Sequence, residues 1–353
     1  MTTYRIASVF FFIFLASCQS KPLYESSQAH RSIHPELDIG EYSVRLNEKE
    51  ILTFSRGQKE PTGLVKMNIE NGNIEIIDGN AKAGKDLALE SSWLYYRIED
   101  SIYRRPFGTG VDAQTLVQKI SSGVEKLKAV TIVNEFEYLL LKKEKVGDFL
   151  ICRKGDSSEY VSHTIPQQGV AMRALENGNV LLLIENTSGL YLAEAGCLTG
   201  FGRSVLVEAR AQSNYAKFFE DESGAWLAYL QEEKGTLQML SFEIKNLEIL
   251  ENLPVAGKAF ESYVGMDIAF FSDGKKPGVL FLNGQNLKLH WSRYKNQAWR
   301  EEPIKLTGAV GFYNTVLKRN KNLLTITTHA FRAINSENDY SFEDLLVMDL
   351  DLR

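Results

Sequence analysis

The chain has 353 residues, of which 44% are hydrophobic, 11% aromatic and 24% charged, and its formal net charge is −5. This balance excludes a disordered chain, which lacks the apolar residues for a core, and an integral membrane protein, which carries far fewer charges. With 40 Lys and Arg against 45 Asp and Glu and no basic block, the sequence also lacks the electrostatic footprint of a nucleic-acid binder.

Residues 1–17 read MTTYRIASVFFFIFLAS: one cation, Arg5, precedes an apolar run from Ile6 to Ala16, and small residues follow. This is the pattern of a secretory signal, and the run is shorter than the roughly 20 residues a spanning helix needs. Leu15-Ala16-Ser17-Cys18 resembles the lipobox of bacterial lipoproteins at all four positions. The resemblance implies that residues 1–17 are removed and that the Cys18 thiol takes a diacylglycerol. A further acyl chain, such as palmitate, on the freed amine gives the more-than-one-chain anchor that holds stably in a membrane. Gln19 stands where an inner-membrane lipoprotein commonly has Asp, so the resemblance implies a bacterial cell-envelope protein held in the outer membrane by the lipid on Cys18. Residues 18–37 then form the lipidated terminus and a polar tether without period.

From residue 38 to 353 a pattern of strands repeats. A strongly apolar strand recurs after a short polar turn: ILTF at 51–54, WLYY at 93–96, YLLL at 138–141, VLLL at 180–183, WLAY at 226–229, VLFL at 279–282 and LLTI at 323–326, with starts 42, 45, 42, 46, 53 and 44 residues apart. Self-similarity at a period in the forties, built from strands, is the signature of β-propeller blades. The preceding turns, among them NEFE (134–137) and ENGN (176–179), read as hairpins. A third strand follows in each unit, for example DFLICR at 148–153 and DLLVMDL at 344–350. Fourth strands are expected near 74–77, 116–120, 159–163, 203–207, 247–250 and 299–304. Gly79, Gly123, Gly169, Gly257 and Gly308 are expected just after fourth strands.

The seventh unit has no fourth strand before Arg353, so residues 30–37 are expected to supply it and join the last blade to the first. Such closure removes two open sheet edges. The expected fold is therefore all-β, a seven-bladed propeller of four-stranded antiparallel blades over residues 38–353. A pair of β-sandwiches or an open array ranks lower, since neither requires so regular a period.

Searches for chemistry return little. The five histidines, His30, His34, His163, His290 and His329, show no metal-ligand spacing, and Asp221 or Asp273-Gly274 is more readily a hairpin than a calcium loop. No phosphate-cradling glycine motif occurs, so neither metal nor cofactor is expected. Cys152 and Cys197 fall on adjacent units, within reach of a disulfide in an oxidising compartment; otherwise they are buried filler. Strings typical of WD and kelch repeats, and of the propeller lipoprotein of the outer-membrane β-barrel assembly machine, are absent.

The sixth unit, from Met266 (MDIAFFSDGKKPGVLFLNGQNLKLHWSRYKNQAWREEPI), resembles blades of sialidase-like sugar-active propellers. The nearest approach to a sialidase Asp box, Glu220 to Trp226, has its glycine one place late and reads as a hairpin. The sialidase resemblance implies three arginines gripping a carboxylate, a Tyr–Glu nucleophile pair and an acid Asp, drawn from different blades. Arg45, Arg97 and Arg173 lie on or near inner strands, as some arginines would in any seven-bladed chain with this many, so no catalytic residue is expected.

The loops entering the inner strands of a propeller rim a central funnel, and this rim is the expected ligand surface. In this register it includes Tyr42, Asp86, Gln168, Tyr215, Tyr263, Asp267, Tyr313 and Asn314. The periodic framework and the lack of a reactive cluster favour a lipid-anchored protein whose propeller face binds or scaffolds a protein or glycan partner, without nucleic acid. The alternative is a lipid-anchored glycan hydrolase with its site in the funnel.

Overall fold

The computed structural model describes residues 31–33, 39–47, 49–55, 62–68, 70–82, 84–108, 117–155, 157–213, 216–221, 224–231, 236–254, 269–273, 276–283, 288–295, 298–303, 311–320, 323–333 and 340–351, with side chains described only within residues 43–252. The regular elements among the described residues are all strands. A short strand, β1 (Arg31–Ile33), comes first and pairs with the last sheet. The first sheet is β2 (Ile39–Arg45), β3 (Glu50–Ser55), β4 (Gly63–Asn68) and β5 (Ile74–Asp78). The second is β6 (Gly84–Glu90), β7 (Trp93–Ile98), β8 (Ser101–Pro106) and β9 (Gln118–Ser121). The third is β10 (Val124–Val133), β11 (Phe136–Lys143), β12 (Gly147–Lys154) and β13 (Val161–Thr164). The fourth is β14 (Gln168–Ala174), β15 (Val180–Asn186), β16 (Gly189–Gly196) and β17 (Gly200–Ala209). The fifth is β18 (Ala216–Asp221), β19 (Gly224–Gln231), β20 (Thr236–Glu243) and β21 (Glu248–Pro254).

Two further sets of strands pair in the same way. β22 (Ala269–Asp273), β23 (Lys276–Asn283), β24 (Lys288–Lys295) and β25 (Ala298–Pro303) run in chain order. β26 (Gly311–Asn320), β27 (Leu323–Ala333) and β28 (Tyr340–Asp351) are flanked by β1, with Arg31 opposite Val347 and Ile33 opposite Leu345. The first strands of the sheets meet one another in succession: β2 touches β6, β6 touches β10, β10 touches β14 and β14 touches β18. In the same way β22 touches β26, and β26 touches β2.

The unbroken apolar runs follow from burial on both sides. A sheet with one wet face alternates apolar and polar residues, whereas a sheet covered on both faces reads as continuous hydrophobe. In β15, Leu181 and Leu183 pack toward the fifth sheet, against Leu227, Tyr229 and Leu240. Val180, Leu182 and Ile184 of the same strand pack the other way, with Tyr138, Leu140 and Leu150 of the third sheet. The sorting repeats one sheet earlier: Leu139 and Leu141 of β11 join Tyr95 and Ile102, while Tyr138 and Leu140 face the fourth sheet. It repeats again in β7, whose Leu94 and Tyr96 pack on Leu52, Phe54 and Leu64 of the first sheet.

Every second and third strand expected from the repeat falls on a strand of the structure, to within a few residues at the ends. One placement differs. Gly169 lies inside β14 rather than in the turn before it; a Cβ there would press on the ends of the Leu140 and Ile165 side chains, so the close approach of neighbouring sheets, not a turn, favours the glycine. Arg97 lies on the second strand β7, opposite Lys85 of the inner strand β6. Gly257 and Gly308 lie outside the described residues.

Gly84 opens β6 at a similar close approach, where a Cβ would fall inside the ring of the fully buried Phe54. Gly84→Ala is expected to destabilise the protein by about 1–3 kcal/mol, the usual cost of overpacking a filled core. Urea unfolding of wild type and variant measures it, and an unchanged midpoint would show that the first two sheets are not packed as described.

Candidate functional site: the loop face of the sheets

In an up-and-down sheet, the hairpin joining strands two and three lies at the same end as the connection entering the next sheet. One backbone hydrogen bond ties these two loops together in three successive sheets: Val124 N donates to Asp100 O at 2.8 Å, Ile165 N to Asp148 O at 3.0 Å and Arg210 N to Ser188 O at 2.8 Å. The loop face is thus fixed by main chain, whatever side chains decorate it.

At this end the first strands are irregular. Register breaks fall between Ile39 and Ser43 in β2, Lys85 and Leu87 in β6, Leu127 and Ala129 in β10, Gly169 and Ala171 in β14, and Tyr313 and Val316 in β26. An extra residue at a bulge turns its side chain away from the ladder. In β6 that residue is Asp86, held at φ 51°, a left-handed conformation that Asp tolerates better than most residues.

Asp86 is only 3% exposed. Its Oδ2 accepts hydrogen bonds from Arg97 Nε at 2.6 Å and from the Leu127 backbone N–H of the next sheet at 2.9 Å. One sheet on, Asp148 does the same work from a different strand. Its Oδ2 accepts from Lys128 Nζ at 2.6 Å and from Gly169 N at 2.7 Å, and Lys128 also donates to Gly169 O at 2.8 Å. Burial pulls the Lys128 ammonium below its ordinary pKa, against the opposing hold of Asp148. Both carboxylates therefore pin the first strand of the following sheet. Gln168 contributes a weaker tie, Nε2 donating to Ser213 O at 3.3 Å.

Of the expected rim residues, Asp86 and Gln168 are thus brought to this end but engaged with protein. Tyr42 and Asn314 fall within register breaks of β2 and β26, and Tyr313 borders one; their side chains lie outside the described residues, as do Tyr215, Tyr263 and Asp267 entirely. Lys128 and Asp148 were not marked by any sequence motif. Only the turn position of Asp148, directly after Gly147, hints at a capping role.

The opposite end and the outer strands are also tied by polar groups. Between the second and third sheets, Glu137 Oε2 accepts from Arg104 Nη1 at 2.6 Å and Arg153 Nε at 2.7 Å, while Tyr160 OH donates to Oε1 at 3.0 Å. Burial pushes the Glu137 carboxyl up, and the Arg104 charge offsets part of that. Arg173 of β14 reaches Glu220 of β18 at 2.7 Å. A disulfide joins Cys152 of β12 to Cys197 beyond β16, with Cα atoms 5.6 Å apart and a sequence separation of 45. Tyr138 OH accepts from Cys197 N at 3.0 Å and donates to Gly178 O at 2.9 Å. Among the described residues, no group of three or more His, Cys, Asp and Glu side chains is arranged to hold a metal ion, and no helix is long and apolar enough to cross a membrane.

Two outcomes follow from these ties. Asp86→Ala strands the nearly buried Arg97 and the Leu127 N–H, so a loss of about 3–5 kcal/mol is expected, read by chemical denaturation; a loss below 1 kcal/mol would show that Asp86 does not staple the sheets. The double variant C152S/C197S is expected to lose about 2–4 kcal/mol, the usual contribution of a loop of this size. Wild type with and without reductant should reproduce the same shift.

No protein-family model matches the sequence, and no curated protein matches it. Solved structures do match in shape. The WD40 domain of Toxoplasma gondii coronin superposes with a TM-score of 0.59 at 9% identity, covering 94% of this chain and 86% of that one. The β-propeller domain of Myceliophteria thermophila Cps50 (Swd1) gives 0.54 at 10% identity, covering 88% and 99%. A Kluyveromyces lactis Hsv2 with loop 6CD replaced by a Gly-Ser linker gives 0.54 at 12%, covering 89% and 98%. Together with the stacked four-stranded antiparallel sheets, this likeness makes the chain an all-β protein of the β-propeller fold.

Proposed function

We propose that the chain is a lipid-anchored protein of the bacterial envelope, built as a closed seven-bladed ring whose loop face binds or scaffolds a protein partner. The single observation that carries the binding reading is the main-chain tie repeated at the loop end of successive sheets. It makes one face of the molecule a fixed platform whose side chains are free to vary, the arrangement on which recognition surfaces are built. Ring closure is supported by the pairing of β1 with β28 and by the contact of β26 with β2.

The anchored, exported location rests on the Leu15-Ala16-Ser17-Cys18 string, and the Cys152–Cys197 bond is in keeping with an oxidising compartment. The remaining rim candidates, Tyr42, Tyr313 and Asn314 with Tyr215, Tyr263 and Asp267, belong to this reading as contact residues. Of the arginines that the glycan-hydrolase alternative would use, Arg97 is paired with Asp86 and Arg173 with Glu220, while the side chain of Arg45 lies outside the described residues.

Both parts are testable. Cys18→Ser should abolish labelling by radioactive palmitate and release the protein from the membrane fraction; persistent acylation and membrane association would sink the anchor. Crosslinking of the tagged chain in its native host should recover a specific protein at a reproducible ratio. Turnover of fluorogenic glycosides by residues 19–353, with no such protein recovered, would replace the scaffold with the hydrolase.

A further inference from the structure

On the loop face of the second and third sheets, the strand register sets like charges directly opposite each other. Lys85 of β6 lies across from Arg97 of β7, and Lys126 of β10 across from Lys142 of β11. Such pairs cost stability in an antiparallel ladder. One member of each is neutralised: Arg97 by Asp86 at 2.6 Å and Lys142 by Glu125 at 2.8 Å. Lys85 and Lys126 are exposed, and neither has a carboxylate within salt-bridge distance among the described residues. They sit on strands that touch, β6 and β10.

The hairpin beside them adds Lys145, whose side chain is 88% exposed and 4.0 Å from its nearest carboxylate, Glu144. Next to it Val146 stands 65% exposed at the tip. Lys85 and Lys126, without an ion-pair partner among the described residues on a chain of net charge −5, attract acidic groups to this part of the face.

We propose that this part of the loop face, centred on Lys85, Lys126 and Lys145, docks an acidic segment of a protein partner, with Val146 as the apolar contact. The inference deepens the scaffold reading and rests on it. Exposed carboxylates at Glu99, Asp100 and Glu144 are interleaved with the lysines. A uniformly negative bilayer or a nucleic-acid backbone meets these as repulsion, whereas a protein segment of mixed sequence can place its acids against the lysines alone. Charge complementarity of this kind sets partner choice and encounter rate.

The test uses the full chain in its native membrane, with a photo-crosslinking residue at position 146 and, separately, at position 198. Leu198 is 72% exposed in the turn after β16, at the opposite end of the strands. The expected result is an adduct at 146 whose crosslinked peptide carries an acidic excess, with yield falling about tenfold in K85E/K126E and falling as salt rises. An adduct with a neutral or basic segment, one that survives the charge reversal, or one with lipid or nucleic acid overturns the proposal. Adducts at 198 and none at 146 overturn this face but leave the scaffold intact; none at either position, with no protein recovered by whole-cell crosslinking, removes both. If K85E/K126E fails to melt as the wild type does, the salt dependence of the wild-type adduct decides instead.

Discussion

The structure depends on one constraint: no sheet in it can bury its apolar residues alone. Four strands of alternating side chains leave two hydrophobic faces, and each face is covered only by a neighbouring sheet. The clusters record this, since each one described spans two consecutive sheets: Leu94 with Phe54, Leu139 with Tyr95, Leu182 with Tyr138, and Leu181 with Leu227. At roughly 1.5–3 kcal/mol for each fully buried Leu or Phe, the interfaces dominate stability. A single sheet cut from the array has no reason to stay folded, as in other repeat architectures.

Polar groups then decide alignment. Apolar faces slide with little penalty, whereas a carboxylate that must meet a particular N–H does not. Asp86 and Asp148 reach across consecutive junctions to the amides of Leu127 and Gly169, and both do so beside a bulge of a first strand. Tyr96, Tyr138 and Tyr229 act similarly from within the interfaces. Their rings are fully buried, and their hydroxyls end on Asp78, the Gly178 carbonyl and Glu208 at 2.7 to 2.9 Å. Charge at the loop end thus has two populations: groups consumed in holding sheets together, and a few lysines left outside that bookkeeping.

The strands were legible in the sequence because double-sided burial writes itself as uninterrupted runs such as YLLL and VLLL, and because polar hairpins separate them. The likeness to solved β-propellers upholds the fold class, while no such likeness carries the sialidase resemblance of the sixth unit. The functional face was legible only in outline. Asp86 was marked by its position at the entry to an inner strand, yet the bulge that turns it into the protein depends on Leu127, about 40 residues away. The same is true of Lys128, whose partners Asp148 and Gly169 O belong to a hairpin and to the next sheet. Contacts between sheets join residues one full repeat apart, and no local spacing encodes them. Gly169 shows the same limit: a glycine near a turn reads as a turn, while what favours it is the close approach of the Leu140 side chain in another sheet.

The pairing of β1 with β28 bears on how the protein is made. The sheet that receives Arg31–Ile33 contains Tyr340–Asp351, so this strand has no partner until the last of the described strands has been synthesised. Until then Arg31–Ile33 has no place to go, and the preceding sheets wait with an uncovered apolar flank. Pairing of β1 with β28 is therefore a late step of folding, one that joins segments far apart in sequence. During that interval the half-built molecule is exposed to aggregation, as larger slow-closing β proteins are.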